Sequence, residues 1–113
     1  MSWFKVGAVI CFLAVALGAF GAHALRGTLE ANHSRAIWNT AVLYHFLHGL
    51  ALIVLSTHNT NRIVCYLFLT GILLFSGSLY GLAATHATWL GPITPVGGLC
   101  LLTGWAWLFC APR

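Results

Sequence analysis

Three stretches without a charged side chain dominate this sequence: residues 6–25, 36–61 and 63–112, of 20, 26 and 50 residues. A helix rises about 1.5 Å per residue and a bilayer's hydrocarbon core is about 30 Å thick, so one crossing takes about 20 apolar residues. The first two stretches each hold one crossing. The third is long enough for two, and residues 85–92 (Thr-His-Ala-Thr-Trp-Leu-Gly-Pro) break it with polar and helix-terminating residues. The pattern predicts an all-α, integral membrane four-helix bundle: a single transmembrane domain over residues 1–113, with helices near 3–23, 34–57, 63–84 and 95–111. Four crossings bring the N and C termini to the same side. A membrane β-barrel would alternate apolar and polar residues with period two, and these runs are apolar on every side.

Charge excludes several classes of function. Only Lys5, Arg26, Glu30, Arg35, Arg62 and Arg113 are charged, 5% of the 113 residues, against about a quarter in a soluble domain. The net charge of +4 comes from scattered cations, which cannot follow a run of phosphates, so no nucleic-acid partner is expected. Lys5, Arg62 and Arg113 fall on the side of the termini, Arg26 and Arg35 on the other, which favours cytoplasmic termini. Lys5, the apolar run 6–17 and Ala22-His23-Ala24 also fit a cleavable signal peptide. The segment is read here as the first helix.

Local signals mark the helix ends. Ser34 before Arg35 predicts an N-cap for the second helix. Thr94 followed by Pro95 predicts another, with Pro95 at the first helical position, where its missing N–H has no helical partner. Trp3, Trp38, Trp89 and Trp107 fall near span ends, at the depth that amphipathic rings prefer.

Helices in lipid gain little from apolar burial, so close packing and hydrogen bonds must hold them together. Gly7, Cys11, Ala14, Gly18 and Gly21 follow a 4-3-4-3 spacing, which lays small residues along one stripe of the first helix. In the third, Gly77 and Gly81, with Thr70, Gly71 and Ser78, make a second small face. Packing within one bundle is the plainer use of both; a face kept for another subunit is the other.

At membrane depth, Thr40, Tyr44, His45 and His48 fall within about 140° of arc on the second helix. Ser76 and Thr103 lie at similar depth as partners. An ionisable residue inside a membrane is a functional candidate, because its charged form is costly there. The plainer role is interhelical hydrogen bonding by neutral imidazole. Zinc wants four ligands and haem an axial ligand on each face; beyond His45 and His48 on one helix the chain offers no mid-membrane histidine, and Cys11, Cys65, Cys100 and Cys110 have no C-x-x-C spacing. No metal and no cofactor are therefore expected. Coupled cation export needs a carboxylate in the membrane, and the only acid, Glu30, is in a loop. No nucleophile with an orienting base and no catalytic residue is visible, so the chain is not read as an enzyme. Membrane lipids are the expected surroundings. Arg26, His33, Arg35 and the helix start at Thr94 lie near the head groups.

The strings 16–25 (ALGAFGAHAL), Tyr44-His45 with His48, 75–80 (FSGSLY), 94–98 (TPVGG) and Gly104-Trp105 carry a resemblance. The chain resembles the small membrane proteins grouped as domain of unknown function 423, or uncharacterised protein family 0382. That family includes YgdD- and YwdK-type bacterial proteins and animal transmembrane protein 256. The resemblance spans all four expected helices. It implies a multi-pass protein of the bacterial inner membrane, or of the mitochondrial inner membrane in a eukaryote, and supplies no established activity. It also draws attention to His23 and His48. The expected role is that of a structural or accessory protein, packing with itself or with a larger membrane complex. The alternative is a binder of a small ligand (lipid, quinone or metal) around Tyr44, His48 and the helix start at residues 94–98.

Overall fold

The computed structural model describes residues 2–58 and 62–111. It contains helices α1 (Trp3–Ala22), α2 (Arg26–Ala31), α3 (Arg35–Ser56), α4 (Arg62–Gly71), α5 (Gly77–Thr85) and α6 (Ile93–Cys110). A π-helical turn, Ile72–Ser76, joins α4 to α5, and a 3₁₀ turn, Thr88–Leu90, precedes α6. No strand occurs among the described residues. Among the described residues, four helical stretches are long and apolar enough to cross a membrane: Trp3–Ala22, Arg35–Ser56, Arg62–Thr85 and Thr88–Cys110. Large apolar side chains on the outside fit that solvent. Phe12, Leu73, Leu102 and Phe109 all point outward, Phe109 with 90% of its surface exposed. In water such a surface would drive aggregation; against acyl chains it costs nothing.

The helices form two tight pairs. In the first, α1 lies along α3. Gly7 sits against Ile53 and the Gly49 carbonyl, and Gly49 in turn sits against Ile10 and Cys11, so neither helix has room for a Cβ at its glycine. In the second, α6 lies along the third span. Gly104 faces the Phe68 ring, Gly71 faces Leu101, and Gly97 abuts the backbone at Leu74 and Phe75. A core of Ile10, Leu52, Leu55, Val64, Phe68, Ile72 and Leu101 joins the pairs. The rings of Trp3 and Tyr66 meet edge to face at 5.0 Å, and Leu108 packs on the same core as Trp3, so α1 begins, α4 begins and α6 ends at one end of the bundle.

The opposite end departs from the sequence expectation. Residues 26–31, expected as loop, form α2, because Leu29 is buried to 1% exposure beside Trp38 and Ala83 while Leu25 packs on the same cluster. Arg26 and Arg35 both face Glu30, at 3.4 and 3.6 Å, on the exposed side.

Two expected caps are also corrected. Ser34 occupies the N-cap position of α3, yet its hydroxyl makes no capping bond. It donates instead to the Ala83 carbonyl at 2.6 Å, and Asn32 Nδ2 donates to Ala83 and Ala84 at 3.2 and 3.3 Å. These donors cover carbonyls in the last turn of α5, which have no helical partner of their own. Likewise α6 starts at Ile93, after Pro92, so Thr94 is inside the helix. Its hydroxyl pairs with that of Ser78 at 2.6 Å. Pro95 then takes the third helical position, which tolerates proline because that N–H is still unpaired.

Candidate functional site

The polar groups at depth converge where α3 meets α5 and α6. His48 is 5% exposed, and both its ring nitrogens are engaged. Nδ1 lies 2.8 Å from the Tyr44 carbonyl one turn back. Nε2 lies 3.0 Å from Trp105 Nε1 on α6. A carbonyl only accepts and an indole only donates. The proton therefore sits on Nδ1 and the lone pair of Nε2 receives the indole N–H, which fixes a neutral ring in one tautomer. Phe68 and Trp105 both pack edgewise on that ring, at 5.2 and 5.8 Å.

One turn away, His45 is also 5% exposed, and its Nδ1 lies 2.8 Å from the Tyr80 hydroxyl on α5. The Tyr80 ring in turn packs against Trp38 at 4.8 Å. Trp38 Nε1 donates to the Leu17 carbonyl on α1 at 3.0 Å, and Ser76 Oγ donates to the Ala41 carbonyl at 2.8 Å. Among the described residues, no buried side-chain nitrogen or oxygen lacks a partner. A shell of this kind holds helices in register and leaves no buried side-chain donor or acceptor unused.

The face expected on α3 divides in two. The buried residues Leu55, His48, Ala41, Leu52, His45, Trp38 and Gly49 span about 60° to 180° around the helix from Thr40. Thr40 itself is exposed and Tyr44 is 40% exposed, its ring lying between His48 and Phe75. Ser76 and Thr103 do not meet the histidines. Ser76 bonds Ala41, and Thr103 is exposed with its hydroxyl on the Leu99 carbonyl at 2.7 Å. His23 is exposed at the end of α1, far along the chain's axis from His48, and Thr94 is paired with Ser78.

The small-residue positions also separate. Gly7, Cys11, Ala14, Gly18 and Gly21 all lie along the α1–α3 contact. Cys11 Sγ reaches the Phe46 carbonyl at 3.9 Å, Ala14 is fully buried, Gly18 faces Val42, and the Trp38 ring fills the space beside Gly21. Gly77 is different: a Cβ there would meet open space, and Gly81 lies under Leu90 of the 3₁₀ turn rather than against α6.

Tyr80, Trp105, Gly97 and Gly104 were not singled out as site or packing residues from sequence. Tyr80 and Trp105 count as hydrophobic by composition, yet each carries one polar atom that must find a partner in an apolar interior. A tyrosine or tryptophan several residues inside a span is the signal that points to them. No group of three His, Cys, Asp or Glu able to hold a metal is found among the described residues, and the four cysteines are free thiols.

Residues 17–98 match the family described as "Protein of unknown function (DUF423)". The chain is similar to the UPF0382 membrane protein YwdK of Bacillus subtilis, with 41% identity covering 94% of this chain and 91% of that protein. It is 43% identical to a UPF0382 membrane protein of Staphylococcus haemolyticus, over 91% of this chain and 88% of the relative. A UPF0382 membrane protein of Schizosaccharomyces pombe is 40% identical over 94% and 97% of the two chains. No solved structure matches. With near full-length identity of this order in bacteria and yeast, and a family match over most of the chain, this protein belongs to the DUF423 (UPF0382) family of membrane proteins.

Proposed function

We propose that this membrane protein has a structural or accessory role, packing with itself or with a larger membrane complex. One observation carries the reading. The buried polar side chains at depth are engaged in ties between or within helices: His48 with Trp105 and the Tyr44 carbonyl, His45 with Tyr80, Ser76 with the Ala41 carbonyl, Ser78 with Thr94. A binder or catalyst would hold some of those groups in reserve. The small-ligand alternative at His48 would have to displace the Trp105 indole to reach Nε2.

The outer face adds support for a packing role. A shallow apolar groove of about 400 Å³ runs between α1 and α3, lined by Ala14, Gly18, Asn39, Val42 and Phe46 among others. Asn39 is exposed there, and an amide facing another helix is a common adhesive in membranes. The proposed location is the bacterial inner membrane, or the mitochondrial inner membrane in a eukaryote. Cytoplasmic termini follow from Lys5, Arg62 and Arg113 on one side against Arg26 and Arg35 on the other, where Glu30 faces both.

Extraction from native membranes in a mild detergent, followed by cross-linking and native mass spectrometry, tests the role. A homo-oligomer or a reproducible membrane-protein partner is the expected result. A strictly monomeric, partner-free protein would overturn it.

A further inference from the structure

At the end of the bundle where α1 and α4 begin and α3 ends, these three helices enclose a cleft of about 610 Å³. Its floor is apolar, with Leu55 and Cys65 buried and Leu69 partly so. Trp3 and Tyr66, the edge-to-face pair, line it, and rings of this type favour the boundary between acyl chains and head groups. Arg62 and His58 line it as well. His58 Nδ1 donates to the Val54 carbonyl at 3.0 Å, which holds the ring beside the cleft.

This end carries no acidic side chain. Glu30 is the only acid of the whole chain, and it lies at the opposite end between Arg26 and Arg35. Lys5 and Arg62 therefore have no carboxylate side chain nearby to balance them. The cleft joins a positive rim to an apolar floor at headgroup depth, the complement of an amphiphile with a negative head.

We propose that this cleft binds an anionic phospholipid, with its phosphate against Arg62 and the upper part of its acyl chains over Leu55, Cys65 and Leu69. A zwitterionic headgroup brings an ammonium that no carboxylate side chain at this end receives. A free phosphate leaves the apolar floor uncovered. The site depends neither on the accessory role nor on which leaflet this end faces, since lipid can be added in detergent.

The test uses the full chain, delipidated in a nonionic detergent and titrated with phosphatidylglycerol, phosphatidylcholine or inorganic phosphate. Retained lipid is counted by native mass spectrometry and thermal unfolding is followed in parallel. Phosphatidylglycerol is expected to bind about fivefold more tightly than phosphatidylcholine, the difference typical of one cation near an anionic headgroup. Arg62→Gln should remove that preference and Arg62→Lys should keep it, while Arg26→Gln at the other end should not change it. Equal unfolding temperatures of the lipid-free variants show that the fold is intact. Three results would each overturn the proposal: no preference between the two lipids, equal losses from Arg62→Gln and Arg26→Gln, or equal stabilisation by inorganic phosphate alone.

Discussion

Trp105 donates its indole N–H to Nε2 of His48 across 3.0 Å, linking α6 to α3 in the middle of the bundle. The same indole packs on Phe68 at 4.8 Å, between tilted rings. One side chain thus supplies both a polar and an apolar part of the joint. In Trp105→Phe the ring contact largely survives and the donor is lost, leaving Nε2 unpaired. Hydrogen bonds between membrane helices couple by about 0.6 kcal/mol on average and at most about 1.7. A double-mutant cycle of Trp105→Phe with His48→Phe, read by reversible unfolding in mixed micelles, should return a coupling within that range. Additive effects would show that the bond contributes nothing.

Gly97 and Gly77 should respond to alanine with opposite signs. A Cβ on Gly97 would overlap the backbone at Phe75, which no rotamer change can relieve, whereas Gly77 has open space. Overpacking at Gly97→Ala should cost about 1–3 kcal/mol. Gly77→Ala should stabilise by up to about 1 kcal/mol, the helix propensity difference. Thermal unfolding in one detergent gives both values, and similar losses at the two sites would contradict the packing described.

Along the α1–α3 seam, Gly21→Ala should be more harmful than Gly18→Ala. At Gly18 the nearest obstacle is Val42 Cγ1 at 3.3 Å, a small shift for a side chain. At Gly21 the Trp38 ring occupies the position, held there by its bond to the Leu17 carbonyl. Gly18→Leu, with its larger side chain, should still separate the helices. Unfolding temperature and size-exclusion profile are the measurements, and the order Gly21 below Gly18 is the expected result.

Ser34→Ala should cost about 1–2 kcal/mol, because its hydroxyl covers the Ala83 carbonyl at 2.6 Å from a fully buried position. Asn32→Ala should cost less than this, and the double variant more than the sum, since either donor alone still covers the carbonyl that both share. Hydrogen exchange should rise in the last turn of α5 in both single variants and stay unchanged in the first half of α3.

The crossings were legible in the sequence because lipid imposes a one-dimensional requirement, an uncharged run of fixed length. The small stripe on α1 was legible because five residues repeat with heptad spacing on a single straight helix. Features that depend on two helices at once were not. Whether Tyr44 or His45 faces inward is decided by where α5 and α6 lie against α3, and an arc on one helix leaves that open. Ser34 and Thr94 look like caps because local chemistry favours that use, yet both hydroxyls have carbonyl or hydroxyl partners on α5 that local sequence does not reveal. The loop helix α2 was hidden for the same reason. Leu25 and Leu29 make too short an apolar pattern to predict a helix, and burial beneath Trp38 and Ala83 is what orders it.

The π turn at Ile72–Ser76 has a consequence for angular phase. Its bonds skip one residue more than those of an α-helix, so everything after it is set back by about 100° relative to an uninterrupted helix. Upstream, Phe68 looks toward His48 and Gly104; downstream, Ser76 and Tyr80 look toward Ala41 and His45. One rod therefore meets α3 both before and after the turn, and removing a single apolar residue from it would swing Tyr80 out of reach of His45 while leaving every polar side chain of the chain present.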